Sequence, residues 1–174
     1  MKNWFMLTLV GQDRPGIVAG VTRALYEGNC NLGEASMVRL GGMFTIMMMV
    51  ESESDRAQLE AITCPTDEFA ELRVSIDPIE GTLHSHIEPN YRFTVYGADQ
   101  AGIVAETTET LARLGLNIIN LESDVAGTDE NPIYILHIEG ETKKKQEKIE
   151  KAMAELSQRK NIEIKVTPIN TLIG

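Results

Sequence analysis

The run LVGQDRPGIVAGVTRAL sets Gly11, Asp13, Arg14, Pro15 and Gly16 between an apolar stretch ending at Val10 and a helical pattern beginning at Ile17. A strand, a tight loop and a helix start, in that order, suit the gripping of an anion. The first N–H groups of a helix have no partner inside it, and the macrodipole favours negative charge there. Gly11 and Gly16 let a ligand approach the backbone closely. Pro15 fits a first helical turn, where its missing N–H costs nothing. The carboxylate of an amino acid matches such a place, and Asp13 or the strand start at Asn31 offers acceptors for its ammonium group. A plainer reading stays open beside this one: Asp13 caps the helix, worth about 1 kcal/mol, and the glycines only shape the turn and let helix pack on sheet. The loop is not a phosphate loop, since no Lys-Ser/Thr follows Gly16, and the glycine spacing of a dinucleotide fingerprint is absent.

Other chemistry-bearing residues point to little. His84 and His86 form an H-x-H pair in a linker-like stretch, and two ligands alone seldom hold a metal. His137 sits in an apolar run and reads as a core histidine. Cys30 and Cys64 make neither a disulfide framework nor a zinc spacing. No nucleophile–base pair or acid–base carboxylate pair stands out. The expectation is a protein without catalytic residues, metal or cofactor.

The 174 residues carry a formal net charge of −10. The acidity is spread, with 6 Lys/Arg against 12 Asp/Glu in residues 1–86 and 10 against 14 in 87–174. Direct nucleic-acid binding needs a basic footprint, so none is expected. The run KKKQEKIEK (143–151) reads as a solvated helix face. The N-terminal apolar run breaks too early for a signal peptide, and no stretch approaches the ~20 apolar residues of a membrane span. The expectation is a cytoplasmic protein with no membrane partner.

The elements that position the loop come in duplicate. FMLTLVGQDRPGIVAGVTRALYEGNCNLGEASM aligns with YRFTVYGADQAGIVAETTETLARLGLNIINLES, 86 residues on. Thr8, Gly11, Asp13, Gly16, Ile17, Val18, Ala19, Thr22, Leu25 and Asn31 recur as Thr94, Gly97, Asp99, Gly102, Ile103, Val104, Ala105, Thr108, Leu111 and Asn117. Hydrophobic periodicity predicts a strand (4–10; 91–96) and a helix (15–27; 102–114). Two further strands follow (31–40 and 43–51; 117–125 and 133–139). A second helix is clear at 145–160 but interrupted by Pro65 in the first half, and a last strand closes each unit (73–77; 162–168). The fold class is therefore α+β: two tandem ferredoxin-like βαββαβ units, with antiparallel sheets and helices on one face. Residues 1–77 form the first domain, 78–89 a linker and 90–174 the second. MFTIMMMVES is apolar at nearly every position and PIYILHIEG is similar, which predicts that both faces of the sheets are covered, by the sister repeat or by a second chain in a homodimer.

Two such units, each opening G-x-D-x-x-G-I-V-A, resemble a tandem ACT-domain protein, and the DRPGIVA form (13–19) resembles the glycine cleavage system transcriptional repressor group. The resemblance implies a non-enzymatic regulator that binds a small amino acid, glycine among the candidates, at an interface between ACT units. It would act on a protein partner, either a transcription factor or a metabolic enzyme that the chain serves as regulatory subunit. Carried over residue by residue, the implied ligand-binding positions are Gly11, Asp13, Arg14, Pro15, Gly16, Ile17, Asn31 and Leu32. In the second half Asp99, Gly102, Ile103 and Asn117 correspond, but Gln100 and Ala101 replace Arg14 and Pro15, which favours the first loop.

Overall fold

The computed structural model describes residues 3–63, 71–80, 87–98, 102–128 and 131–169. Cys64, Pro65, His84, His86, Asp99, Gln100 and Ala101 lie outside them. The chain divides into two compact units, 1–85 and 86–174, so the division falls inside the stretch read as linker.

In the first unit, β1 (Asn3–Gln12) alternates, with Phe5, Leu7 and Leu9 buried and Trp4, Met6, Thr8 and Val10 half-buried on the other side. That two-residue period places one face on the core. α1 (Ile17–Glu27) brings Ile17, Val21 and Leu25 down onto it, a spacing of four that keeps them on one stripe. β2 (Asn31–Leu40) and β3 (Met43–Ser52) meet in a two-residue hairpin at Gly41 and Gly42, whose φ values of 55° and 78° are what such a turn requires. α2 (Arg56–Thr63) starts with a reciprocal cap. The Gln58 N–H donates to Asp55 Oδ1 at 2.8 Å, and the Asp55 N–H donates to Gln58 Oε1 at 3.0 Å. β4 (Arg73–Ile79) closes the sheet in the order β2-β3-β1-β4, with β1 antiparallel to both neighbours. β4 runs two residues into the stretch read as linker; it is an edge strand, which tolerates Pro78 opposite Phe5.

The second unit repeats the plan. It comprises β5 (Tyr91–Ala98), α3 (Ile103–Arg113), β6 (Asn117–Thr128), β7 (Asn131–Glu141), α4 (Gln146–Lys160) and β8 (Glu163–Pro168), with sheet order β6-β7-β5-β8. Its own core gathers Phe93, Val95, Leu111, Leu136, Ile138, Ile149, Met153 and Leu156 between sheet and helices. Both units thus have the ferredoxin-like architecture, each with its helices on one face.

The open faces of the two sheets differ from each other. In β3, Phe44, Ile46, Met48 and Val50 face the helices, while Met43 and Met47 stay exposed on the side away from them. Val38 and Leu40 of β2 are also exposed, giving the first unit an apolar open face. In β7 the corresponding side carries His137 and Glu139 among charged neighbours. His137, read from the sequence as a core histidine, is instead exposed on that side, because alternate positions of PIYILHIEG serve two different environments.

Candidate functional site

The glycines that open α1 and α3 share one backbone conformation. Gly16 begins α1 at φ 94°, ψ −15°, and Gly102 begins α3 at φ 95°, ψ −5°. These are left-handed values that an L side chain resists. A Cβ at either position would meet nothing within 4 Å, so backbone conformation, not packing, calls for glycine, and the space beside each helix start is open. Neither helix start has a side-chain cap.

Asp13 does not make the cap that the sequence offers. Its Oδ2 accepts from Arg39 Nε at 2.6 Å, and its N–H donates to the Gly42 carbonyl at 2.9 Å. The loop is thereby tied to the β2–β3 turn. The ion pair is largely exposed and contributes on the order of 0.2–1 kcal/mol; its greater effect is to fix the direction of the loop. Arg14, Pro15 and Gly16 are exposed beside it, and Arg14 has no ion pair among the described residues. A helix start without a side-chain cap, an open glycine and an exposed arginine with no ion pair among the described residues are therefore neighbours along the chain.

The two helix starts differ in charge. The first turn of α1 contains no acid, whereas α3 has Glu106 at the repeat position of Gly20. Glu106 is bound by Lys160 and lies 3.5 Å from Arg159 Nη2, at the end of α4. The hydrogen bond from Lys160, backed by the charges of Lys160 and Arg159, holds the Glu106 carboxyl below its ordinary value against an opposing push from burial. An acid thus already stands in the first turn of α3, where negative charge is favoured, with its oxygens bound by α4 rather than by the helix's own N–H groups. Because the folded-state pKa is depressed, its stabilisation is complete above the unfolded value and fades as pH falls through the folded one. Glu106→Gln is therefore expected to lower the melting temperature at pH 7, with the gap to wild type closing below about pH 4, near the ordinary carboxylate range. Paired melting curves across pH check this.

The remaining sequence-derived positions separate. Gly11 lies inside β1 opposite Phe44, and a Cβ there would run into the Leu72 side chain, so its missing side chain serves packing. Ile17 and Ile103 are 4% exposed and belong to the two cores. Asn31 pairs with Glu51, and its Nδ2 donates to Glu51 Oε2 at 3.0 Å, beside a hollow of about 440 Å³ lined by Gly28, Glu53 and Ser54. Leu32 follows it in the strand. That is the far end of the sheet from Gly16: Phe44 and Glu51 lie near the two ends of β3, and the seven residue steps from one to the other span roughly 24 Å at strand rise. Asn117, opposite Glu141, repeats this placement. A single unit therefore joins Asp13–Gly16 with Arg39 and Gly42, and does not join them with Asn31 and Leu32. Arg39 is the residue that sequence reasoning missed. The Gly-Gly hairpin signals the turn, but only the strand register shows that Arg39 reaches Asp13.

Among the described residues no group of His, Cys, Asp and Glu has the arrangement to hold a metal ion. Nor is any described helix long and apolar enough to cross a membrane.

Comparison with known proteins bears on family and fold. A family model described as ACT domain matches residues 3–63 and again 93–167. The UPF0237 protein lmo0533 of Listeria monocytogenes is 32% identical over 84 residues, covering 45% of this chain and 94% of that protein. The UPF0237 protein YjhC of Lactococcus lactis is 47% identical over 49 residues, covering 28% of this chain and 56% of its own length. The glycine cleavage system transcriptional repressor of Escherichia coli is 31% identical over 64 residues, covering 37% of this chain and 34% of the repressor. Among solved structures, a protein of unknown function from Galdieria sulphuraria superposes with a TM-score of 0.77 at 21% identity, over 98% of this chain and 100% of that one. A protein provisionally named as a glycine cleavage system transcriptional repressor gives 0.72 at 18% identity, over 98% and 99%. These two show a common fold.

Proposed function

The chain belongs to the ACT domain family, and from that membership we propose that it is a non-enzymatic regulator that binds a small amino acid, glycine first among the candidates, and controls a protein partner such as a transcriptional activator without contacting DNA. The observation that carries this reading is the start of α1, where Gly16 is open, the helix is uncapped and its first turn lacks an acid. The amino acid's carboxylate docks there with Arg14 beside it, and Asp13, oriented by Arg39, accepts from its ammonium group. At α3, Glu106 supplies the negative charge and competes with any such ligand. The name of the Escherichia coli relative supports both glycine and transcriptional control, and the −10 net charge supports action through a protein rather than through DNA. The working form is a homodimer in the cytoplasm.

A thermal-shift screen of the proteinogenic amino acids tests the reading. A true ligand at 100 times its dissociation constant is expected to add about 2.7 kcal/mol of stability. No shift with any amino acid would leave a protein–protein adaptor instead. Capture of a metabolic enzyme rather than a DNA-binding activator would make the chain that enzyme's regulatory subunit.

A further inference from the structure

On the open face of the second sheet, the strand register lines polar side chains into two straight rows. One row reads Lys165 (β8), Thr94 (β5), His137 (β7), Glu122 (β6); the next reads Thr167, Arg92, Glu139, Asn120. The alternate positions Phe93, Leu136 and Ile138 are buried under the helices, so these rows point the other way. Together they line a shallow hollow of about 380 Å³. Within the rows, Arg92 Nη2 lies 2.6 Å from Glu139 Oε1, and Thr94 Oγ1 lies 3.3 Å from His137 Nδ1. Lys165 has no ion pair among the described residues, and Glu122 is held only by Asn120 Nδ2 at 3.4 Å.

Within these two rows charge is sorted, with cations on β8 and β5 and carboxylates on β7 and β6. Lys165 and Glu122 stand three strand spacings apart, about 14 Å between backbones. That is far wider than the span from ammonium to carboxylate in a single amino acid. It does match the same row turned end for end. A two-fold axis parallel to the strands, midway between two stacked sheets, reverses the strand order and leaves each row over itself. Lys165 then lies over Glu122 of the second copy, Arg92 over Glu139, His137 over Thr94 and Thr167 over Asn120. The alternative axis, along the rows and between them, puts β8 over β8 and sets Lys165 over Thr167, Arg92 over Thr94 and Glu122 over Asn120, which pairs no cation with a carboxylate. Aligned sheets stack about 10 Å apart with strands near −30°, within reach of Lys, Arg and Glu side chains.

We propose that this face is the surface through which two copies of the chain associate, by the isologous packing that the reversed rows specify. The proposal deepens the homodimer reading and rests on it. A third row, Glu163, Tyr96, Ile135, Asp124, limits the complementary area, since reversal brings Glu163 over Asp124.

Sedimentation equilibrium of the full chain at low and high salt tests it. The wild type is expected to dimerise, more weakly as salt rises. Lys165→Glu and Glu122→Lys each create two like-charge contacts per dimer and are expected to weaken association at least ~10-fold, equivalent to 1.4 kcal/mol. The double charge swap is expected to restore it, and Asp124→Asn to tighten it. Melting temperatures of these exposed-site variants confirm that folding is intact. A dimer indifferent to Lys165→Glu, or one that the double swap fails to restore, overturns the proposed face while leaving the dimer standing. A wild-type monomer at all concentrations overturns the dimer reading itself.

Discussion

Phe93→Ala is expected to destabilise the second unit by about 3–5 kcal/mol, the usual range for deleting a buried ring. Phe93 is fully buried at the centre of β5, opposite Ile138 and Val166, with the Tyr91 ring centroid 6.3 Å away. Strands of one sheet hold its neighbours on both sides, so the cavity has little room to collapse. The repeat supplies a control. The corresponding residue of the first unit is Leu7, equally buried, in the same place between β3 and β4. Phe93→Leu keeps most of the apolar volume and should cost less than about 1.5 kcal/mol. Urea unfolding of the three proteins, followed by circular dichroism, measures both. Equal losses for Ala and Leu would mean that ring shape, not filled volume, holds this core.

The duplication is what made the fold legible. Once Gly97 aligned with Gly11 and Gly102 with Gly16, each half supplied the reading where the other was weak. Element order, helix faces and hairpins all followed from local periodicity. What the sequence hides is anything that depends on which strand lies beside which, and in what register. β3 illustrates the limit: its methionines read as continuous apolarity, yet Met48 is core while Met47 is exposed. In β7 the same reasoning overlooked that His137 and Glu139 share a face, and that Lys165, 28 residues beyond His137, lies in the same row. The loop was legible as a glycine-bearing helix start. The partner of Asp13 was not, because Arg39 approaches through a strand pairing rather than through the helix that Asp13 precedes. Asn31, which the residues themselves offer as an acceptor, and Leu32, which the resemblance adds, both lie at the opposite end of the sheet from the loop within one unit.

The loop itself is open to a test that separates backbone strain from ligand binding. Gly16 and Gly102 have φ values of 94° and 95°, and a Cβ meets nothing at either. Replacing either with alanine therefore carries the same penalty, about 1–2 kcal/mol for an L residue held in the left-handed region, and no steric term from the fold differs between them. Both variants are expected to melt earlier by similar amounts without ligand. They should part company when the stabilising amino acid is added. At Gly16 the new methyl occupies the space beside the uncapped helix start and Arg14, so the ligand's ~2.7 kcal/mol at 100 times its dissociation constant is expected to vanish in Gly16→Ala. At Gly102 the helix already has Glu106 as its anion, so Gly102→Ala is expected to respond as the wild type does. Differential scanning fluorimetry with and without the amino acid reads all four values. Loss of response in Gly102→Ala alone would move the site to the second unit. Loss in both would mean that the two loops act together, with Glu106 displaced from the start of α3 when ligand binds.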